Sequence, residues 1–168
     1  LVESWKLNTQ ALSDLQLQLK QLPNIQFMRR VSDMRTVYEQ TKLLLTPSVW
    51  EEGFGMVAIE GQSCRIPVIA SQRGGLTESV GTGGILIEDY QNVEKWLTAI
   101  EQVLASPQSY ASFAERAYPH ATSDNFTPNV LAARFLDICT SPAPSIGALQ
   151  HYIHLISRNS PKFYTFLK

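Results

Sequence analysis

Two carboxylates flank a glycine-bearing turn in residues 51–60, which read EEGFGMVAIE. Glu52 precedes Gly53, Phe54 and Gly55, and Glu60 lies eight positions after Glu52. A carboxylate accepts two hydrogen bonds well, and the vicinal hydroxyls of a sugar or a ribose are natural donors to it. The two glycines let the backbone approach a ligand closely. This spacing indicates a site for a hydroxyl-rich ligand.

The elements on either side of the turn would position these groups. The apolar run KLLLT, residues 42–46, predicts a buried strand, and residues 55–64 predict a helix. In open parallel sheets, ligands bind outside the carboxyl ends of strands, where the next loop enters a helix. The unpaired N–H groups of the first helical turn make an anion site suited to a phosphate oxygen. Glu60, about one and a half turns into this helix, would lie on a side that can also face the cleft.

Plainer interpretations stay open at this point. Glu60 could be a solvated helix residue, since surface glutamates are common. Glu52 could serve only as a negative charge that favours the N-terminus of the helix dipole. Glu51 is most simply a solvated loop residue. The spacing of the two carboxylates does not by itself decide between these interpretations and a ligand site.

The order of elements predicts an α/β fold: a Rossmann-like, doubly wound parallel sheet flanked by helices. Strands are predicted at residues 24–30, 42–46, 67–71 and 83–87. Helices are predicted at residues 4–22, 32–41 with Ser32 as N-cap, 55–64, 92–106, 109–118 and 127–140. In the helix at 92–106, the residues expected to face inward are Val93, Trp96, Leu97, Ile100 and Leu104. A helical turn after residues 73–75 and a loop at 119–125 complete the pattern.

Composition excludes several classes of function. The 168 residues carry 14 Lys and Arg against 15 Asp and Glu, so no basic excess points to nucleic acid. The hydrophobic fraction of 44% suffices for a sizeable core, yet no apolar run is long enough to span a bilayer. Cys64 and Cys139 are expected to be reduced, packed thiols in a cytoplasmic protein. No His, Cys or Asp cluster has the spacing of a metal site.

A longer run of residues around the turn resembles a known family. The segment TPSVWEEGFGMVAIEGQSCRIPVIASQRGGLTESV is similar to the donor-binding signature of retaining glycosyltransferases of the GT-B fold, known as group 1 or family 4. The looser resemblance extends from about residue 23 to about residue 138. The matching residues are Pro47, Ser48, Glu52, Gly53, Phe54, Gly55, Glu60, Pro67, Val68, Ile69, Ala70, Gly74, Gly75 and Glu78.

The resemblance implies a role for each residue of the turn. Glu52 would be the catalytic residue that contacts hydroxyls of the donor sugar, and Glu60 would hold the ribose of the nucleotide. Backbone N–H groups near the turn would approach the sugar and the distal phosphate. The donor substrate would be a nucleoside diphosphate sugar, with no required metal and no cofactor. The implied donor-binding residues are Gly53, Phe54, Gly55, Met56 and Glu60.

The resemblance also implies how the chain is organised. Residues 1–140 would form the nucleotide-sugar-binding Rossmann-like domain, the C-terminal half of a GT-B enzyme, and residues 141–168 a C-terminal helical tail. The N-terminal acceptor domain would be absent from this chain, so the fragment alone is expected to be inactive. That domain would bind a saccharide or lipid-linked acceptor. The protein would be cytoplasmic, with peripheral membrane contact if the acceptor is lipid-linked, and without a transmembrane segment or a nucleic-acid partner.

Three residues depart from the family's pattern. Arg29 and Arg65 stand where glycine is usual, and Gly61 follows the second glutamate at a cost of about 1 kcal/mol of helix propensity relative to Ala. The alternative to a transferase is therefore a non-catalytic interaction module that keeps a degenerate GT-B half. A GT-B-fold sugar nucleotide epimerase is a minor alternative, because it needs a placement of histidine and carboxylate that is not seen. The histidines, His120, His151 and His154, are expected at surface or helix positions.

Overall fold

A computed structural model of the chain describes residues 16–28 and 31–141. The chain divides into two compact units at Thr122 and Ser123. The first unit contains every described strand and the glycine-bearing turn, and the second contains one long described helix. The predicted domain boundary between residues 140 and 141 stays a prediction.

The strands and helices follow one another in the alternating order predicted. The strands are β1 (Leu44–Thr46), β2 (Val68–Ser71) and β3 (Gly84–Ile87). The helices are α1 (Arg35–Tyr38), α2 (Met56–Ser63), α3 (Leu76–Val80), α4 (Val93–Leu104), α5 (Pro107–Ala121) and α6 (Pro128–Thr140). Short 3₁₀ turns cover Gly81–Gly83 and Asp124–Phe126, and residues 16–20 are helical.

The three strands form one parallel sheet in the order β1-β2-β3. Leu44 of β1 pairs with Val68 of β2, which in turn pairs with Gly84 of β3. Parallel neighbours need crossover connections, and α2 and α3 supply them here. The carboxyl ends of all three strands therefore lie at one edge of the sheet, the edge from which the loop to α2 departs.

Helices cover both faces of this sheet, which confirms the predicted α/β class. Successive residues of β2 point to opposite faces. Val68 and Ala70 pack with residues of α2 and α3, whereas Ile69 packs with residues of α4 and α5. The first cluster contains Ala58, Val68, Ala70, Leu76 and Val80, and the second contains Ile69, Ile87, Trp96, Ala99, Val103 and Phe113. Two such cores are what a doubly wound sheet produces.

Several predictions near the N-terminus need correction. Within described residues 24–28, Met28 forms an isolated bridge rather than a strand, and residues 29 and 30 lie outside the described part. Ser32 does not cap α1, whose N-cap is Met34; the Asp33 carboxylate instead accepts a hydrogen bond from the Arg35 N–H. An Asp one residue before the cap provides an acceptor that the pattern did not consider. β1 is also less buried than predicted, because it lies at the edge of the described sheet.

The inward face of α4 was only partly predicted. Trp96 is buried and Ile100 packs at the margin of the core, but Val93, Leu97 and Leu104 are exposed. Ala99 and Val103 fill the buried stripe instead. The apolar residues of this helix span a little under half its circumference, and the core covers only the margin of that stripe that carries Trp96, Ala99 and Val103. Similarly, α5 continues through Pro119 to Ala121, where a loop was predicted.

Other expectations concern the second unit and the surface. Apart from Ser141, the predicted tail at 141–168 lies outside the described residues. Cys64 and Cys139 are free thiols, as expected, but both are exposed rather than packed. Trp50, in the loop after β1, is 78% exposed. In the described part of the chain, no helix combines the length and apolarity needed to cross a bilayer.

Candidate functional site

The loop from β1 to α2 opens onto a cavity of about 300 Å³ at the carboxyl end of β1. Glu52 lies in its wall, together with the residues that begin α2. The lining residues in the described part of the chain are Thr46, Pro47, Ser48, Glu52, Gly55, Met56, Val57 and Leu76. The cavity therefore lies where the sequence placed a ligand site, between the end of a strand and the start of a helix.

Glu52 is held in place through both its side chain and its backbone. The Ser48 hydroxyl donates a 2.7 Å hydrogen bond to Oε1 of Glu52. The backbone N–H of Gly75 donates to the Glu52 carbonyl at 2.8 Å. One carboxylate oxygen thus has a protein donor, and the remaining acceptor capacity of the carboxylate is available to hydroxyl groups of a ligand.

Two glycines from a different segment pack against this loop. A Cβ at Gly75 would lie 2.5 Å from Cα of Phe54 and would overlap the Gly53 carbonyl, and a Cβ at Gly74 would overlap the Glu52 backbone. Gly74 also has a φ of 51°, in the left-handed region. The glycine pair after β2 therefore allows the backbone of residues 51–54 to lie directly on the start of α3.

Gly55 is the N-cap of α2 and sets the direction in which the helix begins. Its φ of 80° and ψ of 49° are left-handed. A Cβ there would lie 2.6 Å from Cδ2 of Leu76 and 2.9 Å from the Ser79 hydroxyl, so any other residue would have to displace these side chains and bear a strained backbone. The first N–H groups of α2, at Met56 and Val57, belong to residues that line the cavity. A helix start in this position favours an anion.

Glu60 lies one turn further along α2 and does not line this cavity. Its Oε2 accepts a 2.6 Å hydrogen bond from the hydroxyl of Tyr38, which ends α1. Burial raises the pKa of the Tyr38 phenol, and the hydrogen bond to Glu60 and the charge of Glu60 raise it further. The phenol therefore stays protonated and acts as a donor. Glu60 is half-buried and has a defined partner, unlike a fully solvated surface residue.

Buried hydroxyls at the ends of two strands lack partners. Thr46 Oγ1, in the cavity wall, and Ser71 Oγ, at the end of β2, are both buried without a hydrogen-bond partner among the described residues. Buried polar groups normally have a partner, either protein or water. These two atoms lie at the edge of the sheet where a ligand or ordered water would be bound.

No Lys or Arg of the described part of the chain lines the cavity. Lys20 lies over the ring of Phe27, while Lys6, Arg29 and Arg30 lie outside the described residues. Arg73, which the sequence did not single out, pairs with Glu51 at 3.0 Å and lies over the ring of Tyr90. Within residues 16–28 and 31–141, no group of three or more His, Cys, Asp or Glu residues could hold a metal ion.

Sequence reasoning missed two hydroxyl donors. Ser48 was recognised as part of a motif but was given no role, and Tyr38 was not considered for the site. Ser48 could have been found from the sequence, because a short polar residue just after a strand and a few positions before a carboxylate is a usable signal for a donor. Tyr38 and its acceptor Glu60 lie 22 positions apart, and no local pattern reveals this pair.

The comparisons with known proteins agree with this geometry. The sequence profile of the family described as glycosyl transferases group 1 matches residues 7–120. The chain therefore belongs to the group 1 glycosyl transferases. This is the family that the sequence around the glycine-bearing turn resembled.

Two curated relatives illustrate the similarity. The D-inositol 3-phosphate glycosyltransferase of Rhodococcus opacus (strain B4) is 40% identical over 93 residues, which are 54% of this chain and 20% of that protein. D-inositol 3-phosphate glycosyltransferase 2 of Catenulispora acidiphila is 31% identical over 131 residues, 76% of this chain and 30% of that protein. The chain thus spans less than a third of either relative.

Solved structures share the fold. Anabaena Alr3699/HepE, solved in complex with UDP and glucose, superposes with a TM-score of 0.69 at 23% identity, over 84% of this chain and 39% of that one. WaaG, a glycosyltransferase involved in lipopolysaccharide biosynthesis, gives a TM-score of 0.61 at 23% identity, over 79% of this chain and 35% of that one. The fold of this chain matches one part of a GT-B glycosyltransferase.

Proposed function

We propose that this chain is the donor-binding part of a retaining glycosyltransferase, which moves a hexosyl group from a nucleoside diphosphate sugar to an acceptor hydroxyl. The observation that carries the proposal is the cavity at the start of α2, where a carboxylate held by Ser48 stands beside the first helical N–H groups. Hydroxyls of the sugar and oxygens of a phosphate are the ligand groups that these two features favour.

In this proposal each part of the site contacts one part of the donor. Glu52 accepts hydrogen bonds from the sugar hydroxyls, and the backbone of Gly53, Phe54, Gly55 and Met56 approaches the sugar and the distal phosphate. Glu60 holds the ribose. Support for a nucleotide donor comes from Alr3699/HepE, which shares the fold and was solved with UDP-glucose.

The reaction breaks the bond between the anomeric carbon and the distal phosphate oxygen, and forms a bond from that carbon to the acceptor oxygen. The α2 N-terminus would stabilise the charge that develops on the departing diphosphate. The departing phosphate takes the acceptor proton, so this half of the enzyme needs no protein base. The acceptor, whether saccharide or lipid-linked, would bind a second domain.

The alternative of a non-catalytic module was motivated by Arg29 and Arg65. Arg29 lies outside the described residues. Arg65 lies at the far end of α2, after the helix has ended, and does not line the cavity. The replacement of glycine by Arg65 therefore leaves the proposed donor site intact, and the transferase is the better-supported function.

A titration of the ¹⁵N-labelled chain with UDP-, GDP- and ADP-glucose, followed by amide chemical shifts, tests the proposal. We expect shifts at residues 52–56 and at Glu60 with one of the three nucleotides. Glu52→Gln should weaken binding about tenfold, since it removes the charge that strengthens the hydrogen bonds to the sugar. Glu101→Gln, the same change on the exposed face of α4, is the control and should bind like the wild type.

The result that would overturn the proposal is equally specific. If millimolar concentrations of all three nucleotide sugars leave the amides of residues 52–56 unshifted, the cavity is not a donor site. Equal weakening by Glu52→Gln and Glu101→Gln would show that Glu52 acts through overall charge and not through contact with the sugar.

A further inference from the structure

The hydrogen bond between Tyr38 and Glu60 has a geometry suited to positioning. Tyr38 is only 6% exposed, so its ring is fixed by the surrounding core. The separation of 2.6 Å between its hydroxyl and Oε2 of Glu60 falls in the range of a hydroxyl bonded to a charged carboxylate. The partners come from different helices, α1 and α2, and lie 22 positions apart in the sequence.

A glutamate on a helix surface samples many rotamers and loses this freedom when it binds a ligand. A buried phenol that bonds one of its oxygens removes part of that cost before the ligand arrives. The carboxylate has about four acceptor positions, and Tyr38 uses one of them. The remaining positions suffice for two neighbouring hydroxyls.

The chemical type of the partner also matters. A Lys or Arg in the place of Tyr38 would neutralise the Glu60 charge, whereas a phenol donates a hydrogen bond and leaves the charge in place. A charged acceptor makes stronger hydrogen bonds to hydroxyls than a neutral one. Tyr38 thus fixes the orientation of Glu60 and preserves its strength as an acceptor.

We propose that Tyr38 is a positioning residue, which holds the Glu60 carboxylate in the orientation that accepts the 2′ and 3′ hydroxyls of the nucleotide ribose. This inference rests on the proposed function, because it takes Glu60 to be the ribose ligand. It goes further by assigning a role to a residue on another helix, outside the glycine-bearing turn.

The test compares a nucleotide with and without its ribose hydroxyls. Calorimetric titration would measure the affinity of the chain for whichever of UDP, GDP and ADP binds most tightly, and for its 2′,3′-dideoxy counterpart. Tyr38→Phe keeps the buried ring and removes only the hydroxyl. We expect it to weaken binding of the ribonucleotide about tenfold, the effect of one hydrogen bond to a charged group, and to leave dideoxynucleotide binding unchanged.

Two further variants make the comparison specific. Tyr110→Phe removes a similar hydroxyl, which donates to the Lys42 carbonyl at 2.9 Å, and should leave both affinities at wild-type values. Glu60→Gln should reduce the preference for the ribonucleotide, and adding Tyr38→Phe to it should change the preference no further. A residue that acts only on stability would shift both affinities together and would still add to Glu60→Gln.

The outcomes separate the inference from the proposed function. If the wild type prefers the ribonucleotide and Tyr38→Phe keeps the full preference, Tyr38 does not position Glu60, and the donor site stands. If the wild type binds both nucleotides equally, the ribose role of Glu60 is wrong, and the role of Tyr38 fails with it. If it binds no nucleotide, the proposed function is overturned as well.

Discussion

The two ends of α2 use the same unusual backbone conformation for different purposes. Gly55 precedes the helix with a φ of 80°, and Arg65 follows it with a φ of 60°. Gly55 lies in the cavity wall and packs against Leu76, whereas the Arg65 side chain extends over the ring of Tyr118, 4.2 Å from its centroid. A positive φ alone therefore does not demand glycine here. Glycine is required where another segment packs closely against the position that a Cβ would occupy.

The largest effect is expected at the N-terminal end. Gly55→Ala adds left-handed strain and a Cβ that overlaps Leu76 and Ser79, and should lower the free energy of unfolding by about 3 kcal/mol. Chemical denaturation followed by circular dichroism measures this loss. A loss below about 1 kcal/mol would mean that α3 moves aside easily and that packing does not set the start of α2.

Gly75→Ala isolates packing from backbone strain, because the φ of Gly75 is −64° and suits any residue. Its new Cβ would overlap backbone atoms of Gly53 and Phe54, and backbone atoms cannot rotate away as the end of a side chain can. We expect a loss of about 2 kcal/mol in the same measurement.

Gly53→Ala is the matched control for stability. Nothing lies within 4 Å of a Cβ built at Gly53, so unfolding should change by no more than about 0.5 kcal/mol. If Gly53→Ala and Gly75→Ala destabilise equally, the contact between the two glycine-bearing segments does not hold the Glu52 loop.

These contacts explain what the sequence could and could not predict. The order of strands and helices followed from apolar runs such as KLLLT and PVIAS, since a strand buried between helix layers is continuously apolar. The position of Glu52 followed from the turn beside it. The contact of Gly75 with the loop, and that of Tyr38 with Glu60, join residues more than 20 positions apart. Only the folded topology brings such partners together.

The errors have a related physical origin. The buried face of α4 is one margin of its single apolar stripe, at Trp96, Ala99 and Val103, and the local pattern does not show on which part of the stripe the sheet packs. The residues 24–28 alternate as a strand does, but a strand needs a neighbour to pair with, and within the described residues only Met28 forms a bridge. Local pattern predicts the type of an element more securely than its partners.

A small effect is also predicted at the C-terminal end of α2. The N–H of Ile66 bonds the carbonyl of Gly61 at 3.0 Å and that of Arg65 bonds Gln62 at 2.9 Å, which is a complete Schellman motif with arginine where glycine is usual. Left-handed strain costs Arg65 about 1–2 kcal/mol, and its contact with Tyr118 returns about 0.5–1 kcal/mol.

The variants Arg65→Gly and Arg65→Ala separate the cost of the left-handed backbone from the contribution of the contact with Tyr118. Glycine removes both the strain and the contact and should stabilise the chain by about 0.5 kcal/mol, whereas alanine keeps the strain, loses the contact and should destabilise it by about 0.5 kcal/mol. Thermal unfolding of the two variants measures the difference. If both variants are less stable than the wild type by the same amount, the left-handed backbone at residue 65 costs nothing measurable and the contact with Tyr118 accounts for the whole loss. Arginine would then be the better residue at this position, and the departure from the family's glycine would be a local gain in stability with no bearing on the donor site.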